Sequence, residues 1–181
     1  MLEQFGSFSE AETQLFHTML VNKSVHKNET LVRPGEISRS IFFVRKGSFF
    51  QSYFSEDCEQ TMITDLYMEN EWLFNADSLI NQIPSTSAII CFSDAEVAEL
   101  TLENLHQLIA YSPNFLLLNK IFNALSAKIG LYDENMNPAR KYTYILSSRP
   151  QLLQAFPLSM IASYLKIRPE TLSRVRANIG I

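Results

Sequence analysis

The chain has 181 residues, of which 46% are hydrophobic, and its formal net charge is −4 at pH 7. This length allows one large or two small domains, and the apolar content suffices for a sizeable core. No run of about eighteen apolar residues occurs, which excludes a helical membrane span, and the polar, acidic N-terminus is unlike a signal peptide. Cys58 and Cys91 show no CxxC spacing, so we expect a reduced, cytoplasmic protein.

The first half of the chain predicts one helix followed by short strands. Ser9 is typical of a helix N-cap, and the acidic residues after it suit the first turn of a helix that reaches Leu20. Runs of β-type residues then alternate with turn residues, for example at Pro34-Gly35 and Lys46-Gly47. The predicted strands are 29–32, 40–45, 48–54, 60–66, 87–92 and 96–100. Strands at this spacing indicate a sandwich or a roll.

Two helices are predicted after the strands. Thr101 is a typical N-cap for the first, and Ser112-Pro113 begins the second and longest. There, apolar residues recur at alternating spacings of three and four, the period of a two-stranded coiled coil. The expected dimer interface consists of Phe115, Leu118, Phe122, Leu125, Ile129 and Tyr132. The alternative is a core helix buried on two sides, since a second apolar stripe could pack on the roll.

The C-terminal part of the chain predicts several short helices. An amphipathic helix covers 140–153, interrupted near Arg149-Pro150, and the last twenty-five residues predict two more helices. The first runs from Leu158 to Leu165, and the second begins at Pro169. Apolar residues of the second helix point to one side, while its opposite side carries Glu170, Ser173, Arg174 and Ala177. This pattern is typical of a helix-turn-helix, although an ordinary αα-hairpin has the same apolar spacing.

Charge separates these two interpretations. Residues 137–181 contain seven basic residues and one acidic residue, for a net charge of +6, whereas the preceding 136 residues have a net charge of −10. A basic terminal module on an acidic body is typical of a segment that binds a polyanion. DNA binding is therefore the favoured interpretation.

The chain combines a helix, a roll, a long dimer-type helix and a helix-turn-helix. In this combination it resembles the Crp/Fnr family of transcription regulators over nearly its whole length. The stretch IFFVRKG at 41–47 is similar to a turn of that family, and AEVAEL at 95–100 is similar to the strand before its B helix. The most specific match is IASYL at 161–165 followed by ETLSR at 170–174. The implied fold class is α+β. It comprises a double-stranded β-helix or jelly-roll sensor domain with flanking helices (1–112), a dimerisation helix (113–136) and a C-terminal helix-turn-helix domain (137–181).

The resemblance implies that Glu170 and Arg174 read base edges. Arg can fork onto guanine O6 and N7, and Glu can accept a hydrogen bond from cytosine N4. The alternative is that these two residues form a surface ion pair with each other. Pro169 replaces the family's usual Arg, and Lys166 replaces its usual turn Gly, so the sequence preference need not follow that of the best-known members. The further DNA-binding candidates are Thr171, Ser173 and, for phosphate contacts, Lys166, Arg168 and Arg176.

The ligand site of that family is altered in this sequence. Cyclic-nucleotide-binding members use a Gly-Glu pair for the ribose and an Arg-Ser pair for the phosphate, whereas Phe74, Asn75 and Thr86 stand at three of these positions. Because a buried phosphate without a cation costs on the order of several kcal/mol, we expect poor cyclic AMP binding and no cofactor. The region is either packed core or a pocket for a less anionic, unidentified effector. Its candidate lining residues are Trp72, Phe74, Asn75, Ser85, Thr86, Ser87 and Ser126.

Other sensing and catalytic chemistries lack the residues they need. An iron–sulfur sensor needs about four cysteines, and His17, His26 and His106 show no ligand spacing, so no metal is expected. A cupin-like enzyme would need clustered His and carboxylate ligands. The sequence also contains no Ser-His-Asp constellation, nucleophile elbow or phosphate-binding Gly loop. We therefore expect no catalytic residues and no enzymatic activity.

The sequence predicts a dimeric, cytoplasmic transcription regulator. Its expected partners are double-stranded DNA, a second copy of the chain and, as a further candidate, RNA polymerase, with no membrane association. The alternative is a ligand-binding signalling module whose terminal helices dock a protein. One observation favours the alternative: the chain stops five residues after Arg176, without the β-hairpin wing that follows the recognition helix in many relatives.

Overall fold

An antiparallel β roll forms the centre of the structure, a computed structural model that describes residues 1–57, 59–122 and 136–179. Strands β3 and β6 are its spine, because β3 pairs with β6 along most of its length, while β1 and β2 also pair with β6, and β4 and β5 also pair with β3. The strands are β1 (Val21–Val25), β2 (Thr30–Val32), β3 (Ser40–Ser55), β4 (Gln60–Tyr67), β5 (Trp72–Leu73) and β6 (Ala88–Thr101).

Helices lie before, within and after the roll. They are α1 (Glu10–Thr18), α2 (Ala76–Asn81), α3 (Leu102–Tyr111), a 3-10 helix (Pro113–Asn119), α4 (Pro138–Ser148), α5 (Leu152–Ala155), α6 (Leu158–Tyr164) and α7 (Pro169–Ile179). In the described part of the chain, no helix has the length and apolar character needed to cross a membrane. The helix starts predicted at Ser9 and Thr101 are confirmed, since both side chains accept a backbone hydrogen bond at the N-cap.

Strands β3 and β6 are longer than the sequence predicts. Segments 40–45 and 48–54 belong to one continuous strand, and so do 88–92 and 96–100, with the predicted first residue, Ser87, just outside the strand. The prediction of a chain-reversing turn at Lys46-Gly47 is wrong, because the pairing of β3 with β6 only shifts register there. Gly47 has a φ of +88°, which is typical of a bulge that lets the strand continue.

Three short elements, β1, β5 and α2, have no counterpart among the predicted elements. Strand β1 buries only Val25, so it shows no alternation of apolar and polar residues. Strand β5 has two residues and α2 has six, which is too short for a periodic pattern. Helix α2 is fixed instead by its N-cap, where Asn75 accepts a hydrogen bond from the Ser78 backbone N–H.

The segment after Ser112 begins as a 3-10 helix rather than as the predicted long α-helix. A 3-10 helix has three residues per turn, so Phe115 and Leu118 lie on the same side. Both side chains are buried in the chain's own core, together with Phe16 and Leu108. Assigning Phe115 and Leu118 to a dimer interface was therefore wrong.

The rest of the predicted dimer interface is placed only in part. Phe122 packs against the same core, and its ring centroid lies 5.2 Å from that of Phe74. Leu125, Ile129 and Tyr132 lie outside the described residues. Of the second apolar stripe, Ile121 is buried and Leu117 packs against the same core, whereas Ala124 and Leu131 lie outside the described residues.

The four C-terminal helices form a second core that includes part of the roll. Ile63 and Leu66 of β4 are buried in one cluster with apolar side chains of α4, α5, α6 and α7. Phe92 of β6 extends this contact, with its ring centroid 5.0 Å from that of Phe156. The C-terminal helices are thus packed against β4 and β6.

Candidate functional site

Helix α7 presents a polar face to solvent. Leu172 is buried against the C-terminal core and Val175 is partly buried, whereas Glu170, Ser173 and Arg174 are exposed. Thr171 and Arg176 are half-buried at the edges of this face. The structure therefore brings together the side chains that the helical periodicity predicts.

A tight turn fixes the angle between α6 and α7. The Lys166 N–H donates to the Ser163 carbonyl at 3.0 Å, and the Ile167 N–H donates to the Ala162 carbonyl at 3.0 Å. This pair of bonds is a Schellman motif, in which the first residue after the cap adopts the left-handed region. Lys166 does so with a φ of +54°, at the position where the Crp/Fnr resemblance expects glycine.

The basic residues of the C-terminal part divide into an exposed and an interior group. The exposed group consists of Arg140 on α4, Lys166 and Arg168 before α7, and Arg174 on α7, with Arg176 half-buried. Lys141 is buried, and its Nζ donates to the Leu165 carbonyl at the end of α6, at 3.2 Å. Arg149 is turned toward the roll. The excess of positive charge on the surface is therefore smaller than the sequence count implies.

A second candidate site is a pocket of about 400 Å³ in the roll. It is lined by residues of β3, β4 and α2, of the link from β5 to α2 and of the segment before β6: Gln51, Tyr53, Thr64, Asp65, Tyr67, Phe74, Asn75, Ala76, Asp77, Thr86 and Ser87. This volume lies in the range of small-molecule sites. The described lining residues include two carboxylates, Asp65 and Asp77, and no basic side chain.

A hydrogen-bond network of neutral side chains crosses this pocket. The Asn75 Nδ2 group donates to Ser85 Oγ at 2.6 Å and to Ser87 Oγ at 2.8 Å. Gln51 Nε2 donates to the same Ser87 Oγ at 2.7 Å, and the Tyr67 hydroxyl donates to Gln51 Oε1 at 3.1 Å. Amides and hydroxyls can rearrange around a polar neutral ligand, but they supply no positive charge for a phosphate.

The structure brings most of the predicted effector residues together and places two elsewhere. Phe74, Asn75, Thr86 and Ser87 line the pocket, and Ser85 joins its network. Trp72 lies outside it and packs against Phe5 and Phe43. Ser126 lies outside the described residues.

Sequence reasoning missed Gln51 and Tyr67 as pocket residues. Strands β3 and β4 place them next to each other, with Phe49 paired to Tyr67 and Gln51 paired to Asp65. The only signal in the sequence is a polar Gln in the aromatic run SFFQSYF, at a position that faces inward. That signal cannot be recognised until the register of the two strands is known.

Metal and thiol chemistry find no support in the described part of the chain. It contains no group of three His, Cys, Asp or Glu side chains that could hold a metal ion. Burial, reinforced by Asp94 and Glu29, raises the pKa of the Cys91 thiol to about 11. Because the thiolate is the reactive form, Cys91 is a structural rather than a reactive cysteine.

Residues 22–112, which contain all six strands except the first residue of β1, match the cyclic nucleotide-binding domain. The chain belongs to this family. The match ends after α3, so the family assignment covers the roll and its pocket and not the C-terminal helices. No curated protein sequence matches the chain.

Solved structures extend the likeness in fold to the C-terminal helices. The catabolite activator protein of Thermus thermophilus is 16% identical, with a TM-score of 0.60 over 98% of this chain and 87% of its own. FixK2 from Bradyrhizobium japonicum is 15% identical, with a TM-score of 0.67 over 88% and 84%. The c-di-GMP-responsive global regulator CLP of Xanthomonas campestris is 16% identical, with a TM-score of 0.63 over 94% and 91%. This chain therefore shares its fold with transcription regulators.

Proposed function

We propose that the chain is a non-enzymatic, DNA-binding transcription regulator of the Crp/Fnr type that acts as a homodimer. The observation that carries this proposal is the polar face of α7, which is exposed on helices packed against a cyclic nucleotide-binding fold. The shared fold with regulators from three organisms supports it.

The chemistry of the α7 face suits a major groove. Arg174 would donate two hydrogen bonds to guanine, and Glu170, one helical turn earlier, would accept one from cytosine. Ser173 lies between them on the same exposed face. Lys166 and Arg168 precede the helix, where exposed cations contact phosphates and add affinity without sequence information.

A two-fold arrangement would place two α7 helices in successive turns of one groove. Half-sites for such dimers repeat about every 34 Å, one turn of the duplex. Segment 123–135 includes Leu125, Ile129 and Tyr132, the remaining residues of the predicted interface. We place the dimer contact in this segment, because Phe115 and Leu118 fill the core of the roll.

The roll would act as a sensor for a ligand other than cyclic AMP. Two carboxylates and a neutral network line the pocket, so a buried cyclic phosphate would meet like charge and no described cation. Calorimetric titration with cyclic AMP tests this part of the proposal. The expected result is no binding at millimolar nucleotide, and saturable binding at micromolar nucleotide would overturn it.

Selection from a random duplex DNA pool tests DNA recognition. The wild type should enrich a two-fold-symmetric site, and Arg174→Ala should lose or relax that preference at one position of each half-site. The matched control is Arg33→Ala, because Arg33 is an exposed arginine of the roll that pairs with the nearby Glu36. This control should enrich the same site as the wild type.

The selection also separates the proposal from a protein-docking role. Weak binding that depends steeply on salt, with no enriched sequence and no difference between wild type and Arg174→Ala, would overturn base readout by α7. The C-terminal helices would then be assigned to a protein partner.

A further inference from the structure

Arg149 occupies the junction between the C-terminal helices and the roll. It follows α4 directly and precedes α5, and its side chain is 16% exposed. Its position in sequence places it among the basic residues of the C-terminal part, which the charge pattern assigns to DNA. Its side chain nevertheless forms most of its contacts with the roll, in the acidic part of the protein.

The guanidinium of Arg149 joins three separate elements. Nη2 donates to both carboxylate oxygens of Glu71, at 2.7 and 2.6 Å, and to the Leu66 carbonyl of β4 at 2.7 Å. Nη1 donates to the Tyr164 hydroxyl at 3.3 Å, on the last turn of α6. One side chain thus connects the loop before β5, strand β4 and the helix that precedes α7.

On the roll side of this junction, Glu71 is fixed by two hydrogen bonds from backbone N–H groups. The Glu71 carbonyl accepts a hydrogen bond from the Val44 N–H at 2.9 Å, and its carboxylate accepts one from the Met68 N–H at 3.0 Å. On the other half, Ser163 Oγ accepts a bond from the Ile63 N–H of β4 at 2.9 Å. Helix α6 is therefore joined to β4 directly at Ser163 and, through Arg149, at Tyr164.

The pair between Arg149 and Glu71 is less exposed than an ordinary surface ion pair, with side chains that are 16% and 33% exposed. Burial alone would lower the pKa of Arg149, but Glu71, with smaller contributions from Tyr164 and Asp65, outweighs it and raises that pKa. Exposed ion pairs are screened by solvent and contribute little, whereas removing one partner of a buried pair leaves the other charge uncompensated.

We propose that Arg149 is a positioning residue for DNA binding, which locks α6 and α7 onto the roll through Glu71, Leu66 and Tyr164 and does not contact DNA. This inference rests on the proposed function. We take this arrangement, in which Glu170, Ser173 and Arg174 are exposed, as the one that binds DNA. Without these contacts of Arg149, DNA binding must also restore the orientation of α7. The free-energy cost of this ordering lowers the affinity for DNA.

The decisive variants are Glu71→Gln and Arg149→Met, alone and combined. Because both break the same contact, each should weaken binding of the selected duplex about tenfold, and the double variant should be no weaker than the worse single variant. The slope of log affinity against log salt concentration should stay at the wild-type value, since no phosphate contact is lost. Arg168→Met provides the contrast: its affinity should fall and its salt slope should decrease by about one.

Glu71→Gln distinguishes the lock from a direct DNA contact. If Arg149 contacts phosphate, removing the negative charge of Glu71 leaves affinity unchanged or raises it, and Arg149→Met reduces the salt slope as Arg168→Met does. Either result would overturn the proposal. Should Arg149→Met fail to fold, Arg149→Lys and Tyr164→Phe take its place, because each keeps a side chain of similar size and loses part of the contact.

Hydrogen exchange tests the lock without DNA. Amide exchange of α6 should be faster in Glu71→Gln and Arg149→Met than in the wild type, and unchanged in Arg168→Met. If the wild type binds no specific duplex but exchange responds in this way, the proposed function fails and the lock stands. If amide exchange of α6 is unchanged in both Glu71→Gln and Arg149→Met, the proposed positioning role of Arg149 is overturned, whatever the DNA-binding experiment shows.

Discussion

Gly47 occupies a position that no residue with a side chain fits. Its φ is +88°, and a Cβ added there would lie 2.6 Å from Ala95 Cβ and 2.7 Å from the Asp94 carbonyl oxygen. The second of these neighbours is backbone of β6, so it cannot move without disturbing the β3–β6 pairing. Glycine is required here for both conformation and space.

Gly47→Ala should therefore destabilise the protein far more than Gly35→Ala. Gly35 has a similar φ of +87°, but a Cβ added there would meet nothing within 4 Å. We expect a loss of about 1 kcal/mol of unfolding free energy for Gly35→Ala, from backbone strain alone. For Gly47→Ala we expect about 3 kcal/mol or more, from strain plus overpacking. Urea unfolding measures both, and equal losses would contradict the close approach of β3 and β6.

Glu12 shows how one carboxylate can connect two helices. It completes the capping box of α1 with Ser9, and its Oε1 accepts a hydrogen bond from Ser112 Oγ, beyond the end of α3, at 2.6 Å. The bond from Ser112, followed by that from the Ser9 N–H, lowers the pKa of Glu12 from 4.5 to about 2. The ionised form is thus the one that the folded state stabilises.

Glu12→Gln should lower the melting temperature in a pH-dependent way. A carboxylate with a depressed pKa stabilises the folded state above its unfolded pKa, and this contribution is lost as pH falls through the folded pKa. The difference in melting temperature between wild type and variant should be constant above about pH 5 and shrink as pH falls from 4.5 toward 2. Thermal melts at closely spaced pH values measure it, and a difference independent of pH would exclude the hydrogen-bonded carboxylate as its source.

At the scale of elements, the 3-10 helix Pro113–Asn119 determines which apolar side chains after Ser112 are buried and which are exposed. Phe115 is fully buried, between the rings of Phe8 and Phe16, with ring centroids at 5.4 and 6.5 Å. Leu116, its neighbour in sequence, is 49% exposed. The two residues are a matched pair for separating core packing from subunit contact.

Phe115→Ala should lower the unfolding free energy by about 3–5 kcal/mol, as expected for a buried Phe, while Leu116→Ala should change it by less than about 1 kcal/mol. Neither should alter the solution mass measured by light scattering, because neither side chain is assigned to a dimer contact. A Phe115→Ala variant that remains stable but changes from dimer to monomer would contradict the core placement.

Local signals were sufficient to predict the capped helices and most strands, but not the long-range arrangement. Ser9, Thr101 and Pro169 mark helix starts because capping depends only on neighbouring residues. Lys46-Gly47 was mistaken for a turn because glycine with positive φ serves a turn and a bulge equally well.

The remaining errors have the same origin, because tertiary partners decide what local spacing leaves open. Phe115 and Leu118 are three residues apart, a spacing shared by α and 3-10 helices. At the candidate sites, periodicity was sufficient to predict the exposed face of α7. It could not show that Gln51 of β3 reaches Ser87, just before β6, or that Lys141 and Arg149 turn inward. A count of charges along the sequence contains no information about such partners.

At the scale of the whole molecule, the C-terminal helices share a core with the roll instead of lying free of it. Ile63 and Leu66 of β4 are buried with Tyr142 and Ile161, and the pair between Arg149 and Glu71 crosses the boundary. Changes at this boundary are expected to reach α7, because packed interfaces switch between discrete arrangements rather than deform continuously. The pocket residues Phe74 and Asn75 follow Glu71 by three and four positions in the sequence.

The most direct test of the account is the affinity and stoichiometry of the wild type on the selected duplex. Titration at physiological salt would use that duplex, a single half-site and a shuffled sequence of the same composition. We expect two chains to bind one two-fold site at least about a thousandfold more tightly than the shuffled duplex. The half-site should bind much more weakly than the full site. Equal affinity for the selected and shuffled duplexes would contradict the central claim that α7 reads DNA sequence.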